Sequence, residues 1–239
     1  MSSKEAEDSI LACTAQIMDQ AVRILRSSSI TSETFQFESQ VMPNSTPGKH
    51  LRHVLDHFRI LLDAIESWTH RSLLRGDQTS SSRSISTEFV TQSSSSMPPR
   101  APADVLVVDY DTRVMSRIPE LETSPEVSLH EFEATVDRLF RVFGSSQGRL
   151  FTHPIRLRAT TPFLVEMDST IGRELWFCSL HAIHHYALAR VILVRELGLT
   201  VDPKFGVAPS TLVHRQWRKE SSLIGAGHDQ DSQQARARL

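Results

Sequence analysis

Cysteine is nearly absent from this chain of 239 residues, with Cys13 and Cys178 the only two. Two thiols cannot form a disulfide framework, and that scarcity points to a reducing compartment. An excess of charge of either sign is missing as well. Lys plus Arg total 26 against 28 Asp plus Glu, a formal net charge of −2. Binding along a phosphate backbone calls for a basic surplus, so no nucleic-acid partner is expected. No uninterrupted apolar run reaches the roughly 18 residues of a bilayer-spanning helix, so no membrane association is expected. The opening octet, Met1 to Asp8, is polar and acidic, unlike a secretory signal, and the expected location is the cytoplasm.

What remains suits a folded enzyme-sized domain. Apolar residues make up 39% and charged residues 23%, which excludes wholesale disorder. Histidine is the unusual residue: there are 11, more than the 9 glycines.

Apolar spacing of three and four predicts four long helices. The first runs over about 4–27, on Ile10, Ile17, Ala21, Ile24 and Leu25. The second covers roughly 46–75, with Ser45 or Thr46 as its cap and Pro47 in its first turn. The third spans Pro125 to Phe143, capped by Ser124 and closed by Gly144. The fourth runs from Thr170 to Leu197 and stops at Gly198. Between the third and fourth, Leu150–Arg158 and Phe163–Asp168 are rich in β-branched and apolar residues and predict a β-hairpin. The expected fold class is therefore all-α, a four-helix bundle carrying a small hairpin insertion between helices 3 and 4. Residues 1–215 are expected to form one domain. It is interrupted at about 79–100 by a flexible insertion with nine serines over 79–96, and 216–239 reads as a polar tail.

Six of the histidines fall in two windows. His50, His53 and His57 lie on the second helix, and His181, His184 and His185 on the fourth. Each trio follows one helix side. On the second helix, Leu51, Leu55, Phe58, Leu62 and Ile65 form the apolar stripe, and Arg52, Asp56, Arg59, Asp63 and Glu66 the opposite, solvated face. The histidines flank the apolar arc. On the fourth, His181 and His185 share a stripe with Glu174 and Cys178. Two imidazoles at i and i+4, aimed inward, can bind a metal, and one more histidine from a facing helix completes a three-nitrogen set with open positions. Open positions distinguish a catalytic metal from a structural one.

The segments Thr46-Pro-Gly-Lys-His50-Leu-Arg-His53-Val-Leu-Asp-His57-Phe and Glu174-Leu-Trp-Phe-Cys-Ser-Leu-His181-Ala-Ile-His184-His185 resemble the second-helix and HxxxH motifs of the DinB superfamily of metal-binding bundles. Val108–Arg113 and Phe205–Thr211 are similar to segments of one DinB subgroup, and the likeness runs from about residue 8 to 215. It implies up-down-down-up connectivity and a divalent ion, commonly zinc, nickel or iron, on His53, His181 and His185. His57 is the rival to His53 as the helix-2 ligand. His50 and His184 become candidates for orienting ligands or touching substrate. Relatives include transferases that use small intracellular thiols, so the resemblance implies a small-molecule substrate and a low-molecular-weight thiol cosubstrate. Homodimerisation is plausible for a bundle of this kind.

Other residues carry weaker signals. Tyr110 and Cys178 are candidates for the substrate pocket, although a packing role suits each as well. Glu174 reads as a first-turn helix charge, with a carboxylate that orients a ligand as the alternative. Trp68, Trp176 and Trp217 read as packing residues. The terminal Ala237-Arg238-Leu239 matches the small-basic-Leu pattern of peroxisomal import, an alternative location. Two further functions are open on the sequence: a non-catalytic metal-binding or interaction module, and a metal-dependent hydrolase.

Overall fold

The computed structural model describes residues 3–79, 105–111, 118–144, 146 and 148–216. The serine-rich insertion beyond Thr79, Arg113, Trp217, the C-terminal tail and its Ala237-Arg238-Leu239 tripeptide lie outside the described residues. The elements follow in the order α1 (Ser3–Leu25), α2 (Ser32–Phe35), α3 (Pro47–Thr79), β1 (Leu106–Asp109), a 3-10 turn at Pro119–Glu122, α4 (Pro125–Gly144), β2 (Pro154–Thr160), β3 (Leu164–Thr170) and α5 (Ile171–Arg190).

Three of the four long helices begin where a side chain satisfies a free amide. Thr46 Oγ1 accepts from the Lys49 amide at 3.0 Å at the start of α3. Ser124 Oγ accepts from Val127 at 3.2 Å to open α4, and Thr170 Oγ1 from Arg173 at 3.2 Å to open α5. Inside them, periodic apolar residues close one core. Ile17, Met18 and Ala21 of α1, Leu55, Phe58 and Leu62 of α3, Phe132 and Leu139 of α4, and Leu175 and Tyr186 of α5 are all buried.

The four long helices touch in a ring, α1 to α4 to α3 to α5 and back to α1. Side-chain pairs fix their directions. Arg52–Glu122, Arg59–Glu131 and Glu66–Arg138 climb together, so α3 and α4 run parallel. Arg26–Glu133 and Ser146–Glu7 make α1 antiparallel to α4. His57–Cys178 and His50–His185 make α3 antiparallel to α5. The charged side of α3, expected to be solvated, is thus largely an ion-pair seam with α4. Arg138 bridges both Asp63 and Glu66 across it.

The expected all-α fold class is corrected by the sheet. β1 pairs in parallel with β2, and β2 pairs antiparallel with β3, giving a three-stranded mixed sheet of order β1-β2-β3. The hairpin is present, but β2 is a central strand rather than half of an isolated ornament. The physical reason lies in Leu106 and Val108. Both are buried, with Val107 exposed between them, and an extended segment that buries alternate side chains needs a partner for its backbone. The open edge of β2 supplies one, pairing Leu106 with Ile155 and Val108 with Leu157. On the other face, Arg156–Asp168 and Arg158–Glu166 form cross-strand ion pairs. Four helices and a sheet therefore share the core, and a plain four-helix bundle does not describe it.

The last helix also departs from expectation. After Arg190 it widens into a π-helical turn, Val191–Glu196, which ends with Leu197 N donating to Ile192 O at 3.0 Å. Gly198 follows at φ +68, the left-handed conformation that stops a helix. By length and composition Ile171–Glu196 is apolar enough to cross a bilayer, although charged residues interrupt its apolar run. A central core helix passes the same test, and Leu175, Ala182 and Tyr186 are fully buried here.

Candidate metal centre

The antiparallel packing of α3 on α5 brings all six windowed histidines to one place. His53 lies with its ring centroid 4.5 Å from His57, 5.1 Å from His181 and 4.5 Å from His185. His181 lies 4.2 Å from His57 and 4.5 Å from His185. The tightest donor group is His53, His57 and His181, each offering a nitrogen within 4.8 Å of the others. That separation is little more than twice a Zn–N bond of about 2 Å, so modest ring rotation brings the three onto one ion. His185 stands on the other side of the same His53–His181 pair. His50 reaches His185, Nδ1 to Nδ1, at 2.9 Å. His184 is exposed, 5.1 Å from the His185 ring.

The donor chemistry suits a divalent cation. His57 Nδ1 is 2.9 Å from the carbonyl oxygen of His53. A carbonyl only accepts, so Nδ1 carries the proton and the lone pair sits on Nε2. His181 Nε2 is buried and makes no hydrogen bond among the described residues. Burial, reinforced by neighbouring histidines, holds His53 and His181 down to about 4 and His185 to about 3. Burial lowers His50 and His57 in the same direction. At neutral pH this cluster is therefore uncharged imidazole with free lone pairs, the form that binds metal.

One side of the cluster is walled by aromatic rings. Tyr110, at the end of β1, stacks on His57 with centroids 5.1 Å apart and planes 10° from parallel. Phe177 packs against Tyr110 at 5.2 Å and His181 at 5.5 Å. The Tyr110 hydroxyl lies 3.4 Å from Cys178 Sγ, and Cys178 donates to the His57 carbonyl at 3.7 Å. Burial pushes the Cys178 thiol up to about 12 and the Tyr110 phenol well above its ordinary value. Both are protonated at neutral pH, and both pack beside the site.

Glu174 lies in the first turn of α5 and is fully buried, with Oε1 accepting from Ser169 Oγ at 2.6 Å and from Arg173 at 2.9 Å. The trio implied by resemblance, His53, His181 and His185, shares two members with the tightest group. Sequence reasoning ranked His57 as a rival to His53, whereas the two sit side by side. The His50–His185 bond had no signal in the spacing, because it depends on how far α3 slides along α5.

Comparison with known proteins adds little to this geometry. No family model matches the chain, and no solved structure matches it. A stretch of 49 residues is 57% identical to FK506-binding protein 5 of Rhizopus delemar, covering 20% of this chain and 12% of that protein. The likeness is that of a segment, and it assigns neither a fold nor an activity to the whole.

Proposed function

We propose that this protein is a metal-dependent enzyme of the DinB type, a transferase that acts on a small molecule with a low-molecular-weight thiol as cosubstrate. The observation that carries the metal part is the group His53, His57 and His181, with its buried, unpartnered His181 Nε2. The thiol part rests on the resemblance of the α3 and α5 motifs. His53 and His181 are the shared ligands, and His185 or His57 completes the set for zinc, nickel or iron. When bound, such an ion lowers the pKa of a coordinating thiol and keeps it as thiolate at neutral pH. The protein's own part is to hold neutral imidazoles from two helices at fixed spacing and to wall one side with Tyr110 and Phe177. His53, His181 and His185 are half-buried and His184 is exposed, so one edge of the cluster lies at the surface.

A second function is favoured by one specific observation. Both His57 and His185 flank the His53–His181 pair, so four imidazoles can enclose an ion and leave no position for substrate. That arrangement defines a non-catalytic metal-binding module. Metal analysis of the purified protein tests the common premise. About one divalent ion per chain is expected, and none in His181→Ala. Titrating a small thiol into cobalt-loaded protein separates the two functions. A sulfur-to-cobalt charge-transfer band supports the transferase, and its absence at saturating thiol supports the closed module. A wild-type chain that binds no divalent ion overturns both.

A further inference from the structure

The hydrogen bond between His50 and His185 has a chemical consequence for which nitrogen each ring can offer. Two Nδ1 atoms 2.9 Å apart must divide their roles, one donating a proton and the other accepting it. If His185 accepts, its own proton sits on Nε2, and that nitrogen has no lone pair to give. If His185 donates, Nε2 is free to bind a cation. His50 is buried, and its Nε2 makes no hydrogen bond among the described residues. Among those residues its side chain bonds to His185, across the helix interface rather than along α3. The neighbouring His57 shows the same logic solved with the main chain. Its Nδ1–H is engaged by the His53 carbonyl, which leaves Nε2 as the donor atom.

We propose that His50 is a positioning residue that accepts from Nδ1–H of His185, fixing the tautomer and ring angle in which His185 presents Nε2 to the His53–His181 pair. The ligand part of this role rests on the metal-binding function proposed above, while the tautomer part stands without it. Such supporting hydrogen bonds orient ligating histidines and typically change metal affinity by about 10–100-fold. The register of α3 on α5 brings His50 within hydrogen-bond reach of His185. A Leu at position 50 would keep the volume and remove the acceptor, whereas a Gln would keep a carbonyl oxygen within reach of the same proton.

The test is nitrogen NMR of the histidine side chains in metal-free protein, combined with zinc affinity measured by chelator competition. In wild type, His185 is expected as the Nδ1–H tautomer. In His50→Leu it is expected to shift toward a mixture that includes Nε2–H, with zinc affinity lowered about ten-fold. In His50→Gln the Nδ1–H form and most of the affinity are expected to return, which simple loss of packing at position 50 would not produce. An Nε2–H tautomer in wild type overturns the proposal, and so does a His50→Leu protein with unchanged tautomer and affinity. The wild-type spectrum decides the tautomer even if a variant fails to fold. If wild type shows Nδ1–H on His185 but binds no zinc, the metal-binding function falls while the orienting role of His50 stands.

Discussion

The ring of Tyr110 lies flat against the ring of His57, 5.1 Å between centroids and 10° between planes. This contact ties the sheet to the histidine cluster, because Tyr110 directly follows β1 and His57 sits in the first third of α3. Stacking and hydroxyl contribute separately. Tyr110→Phe keeps the stacked ring and removes the hydroxyl's contacts with Cys178 Sγ and Glu174, so a loss of about 1 kcal/mol is expected. Tyr110→Ala also removes the ring, and a loss of about 3 kcal/mol is expected. Urea unfolding with unchanged m-value measures both. Zinc affinity should follow the ring and not the hydroxyl: close to wild type in the Phe variant and weakened in the Ala variant. Equal zinc affinity in all three proteins would show that the stack does nothing for His57.

What was legible in the sequence was what is decided locally. Thr46, Ser124 and Thr170 cap helices because a side-chain oxygen three residues before a free amide suffices, and no distant residue is needed. The helical periods of α3 and α5 placed six histidines on two faces for the same reason. The partner of Leu106-Val107-Val108 was not legible, because a parallel strand finds its mate through a long connection that leaves no local mark. The pairing of His50 with His185 and the grouping of His57 with His181 depend on the relative slide of two antiparallel helices. The first-turn position of Glu174 was legible because it is a local fact. Its burial follows from the contact of β3 with α5, which is not local.

Gly48 is the tightest backbone approach near the site. A Cβ there would lie 2.1 Å from the carbonyl oxygen of Glu122 and 3.0 Å from Phe35 Cδ1. Alanine is the better helix former by about 1 kcal/mol, yet the overlap is with main chain, which cannot swing aside. The overlap wins, and Gly48→Ala is expected to destabilise the protein by about 2–3 kcal/mol. Because α3 must move away from the 3-10 turn to relieve it, and His50 is two residues on, a drop in zinc affinity is expected alongside. A stability equal to or above wild type would mean that α3 does not close on Glu122 in solution.

Cys178 offers a pH-dependent check on the buried layer beneath the histidines. Burial raises its thiol to about 12 from an ordinary value of 9.0, with the Tyr110 hydroxyl pulling the other way. Iodoacetamide attacks thiolate, so native protein at pH 8 should leave Cys178 unmodified while the half-buried Cys13 reacts first, and both should react in strong guanidinium. The sign of the stability effect follows from the same shift. Between about 9 and 12 the unfolded chain has lost the thiol proton and the folded chain keeps it, so stability is full below about pH 9 and falls as pH rises through that window. Burial raises Tyr110 and Tyr186 too, so they add to the alkaline loss. Cys178→Ala should therefore show a shallower decline of unfolding free energy between pH 9 and 11 than wild type, without abolishing it. Native labelling of Cys178 as fast as Cys13, or identical alkaline slopes in the two proteins, would place the thiol in contact with water and undo the packing role assigned to it.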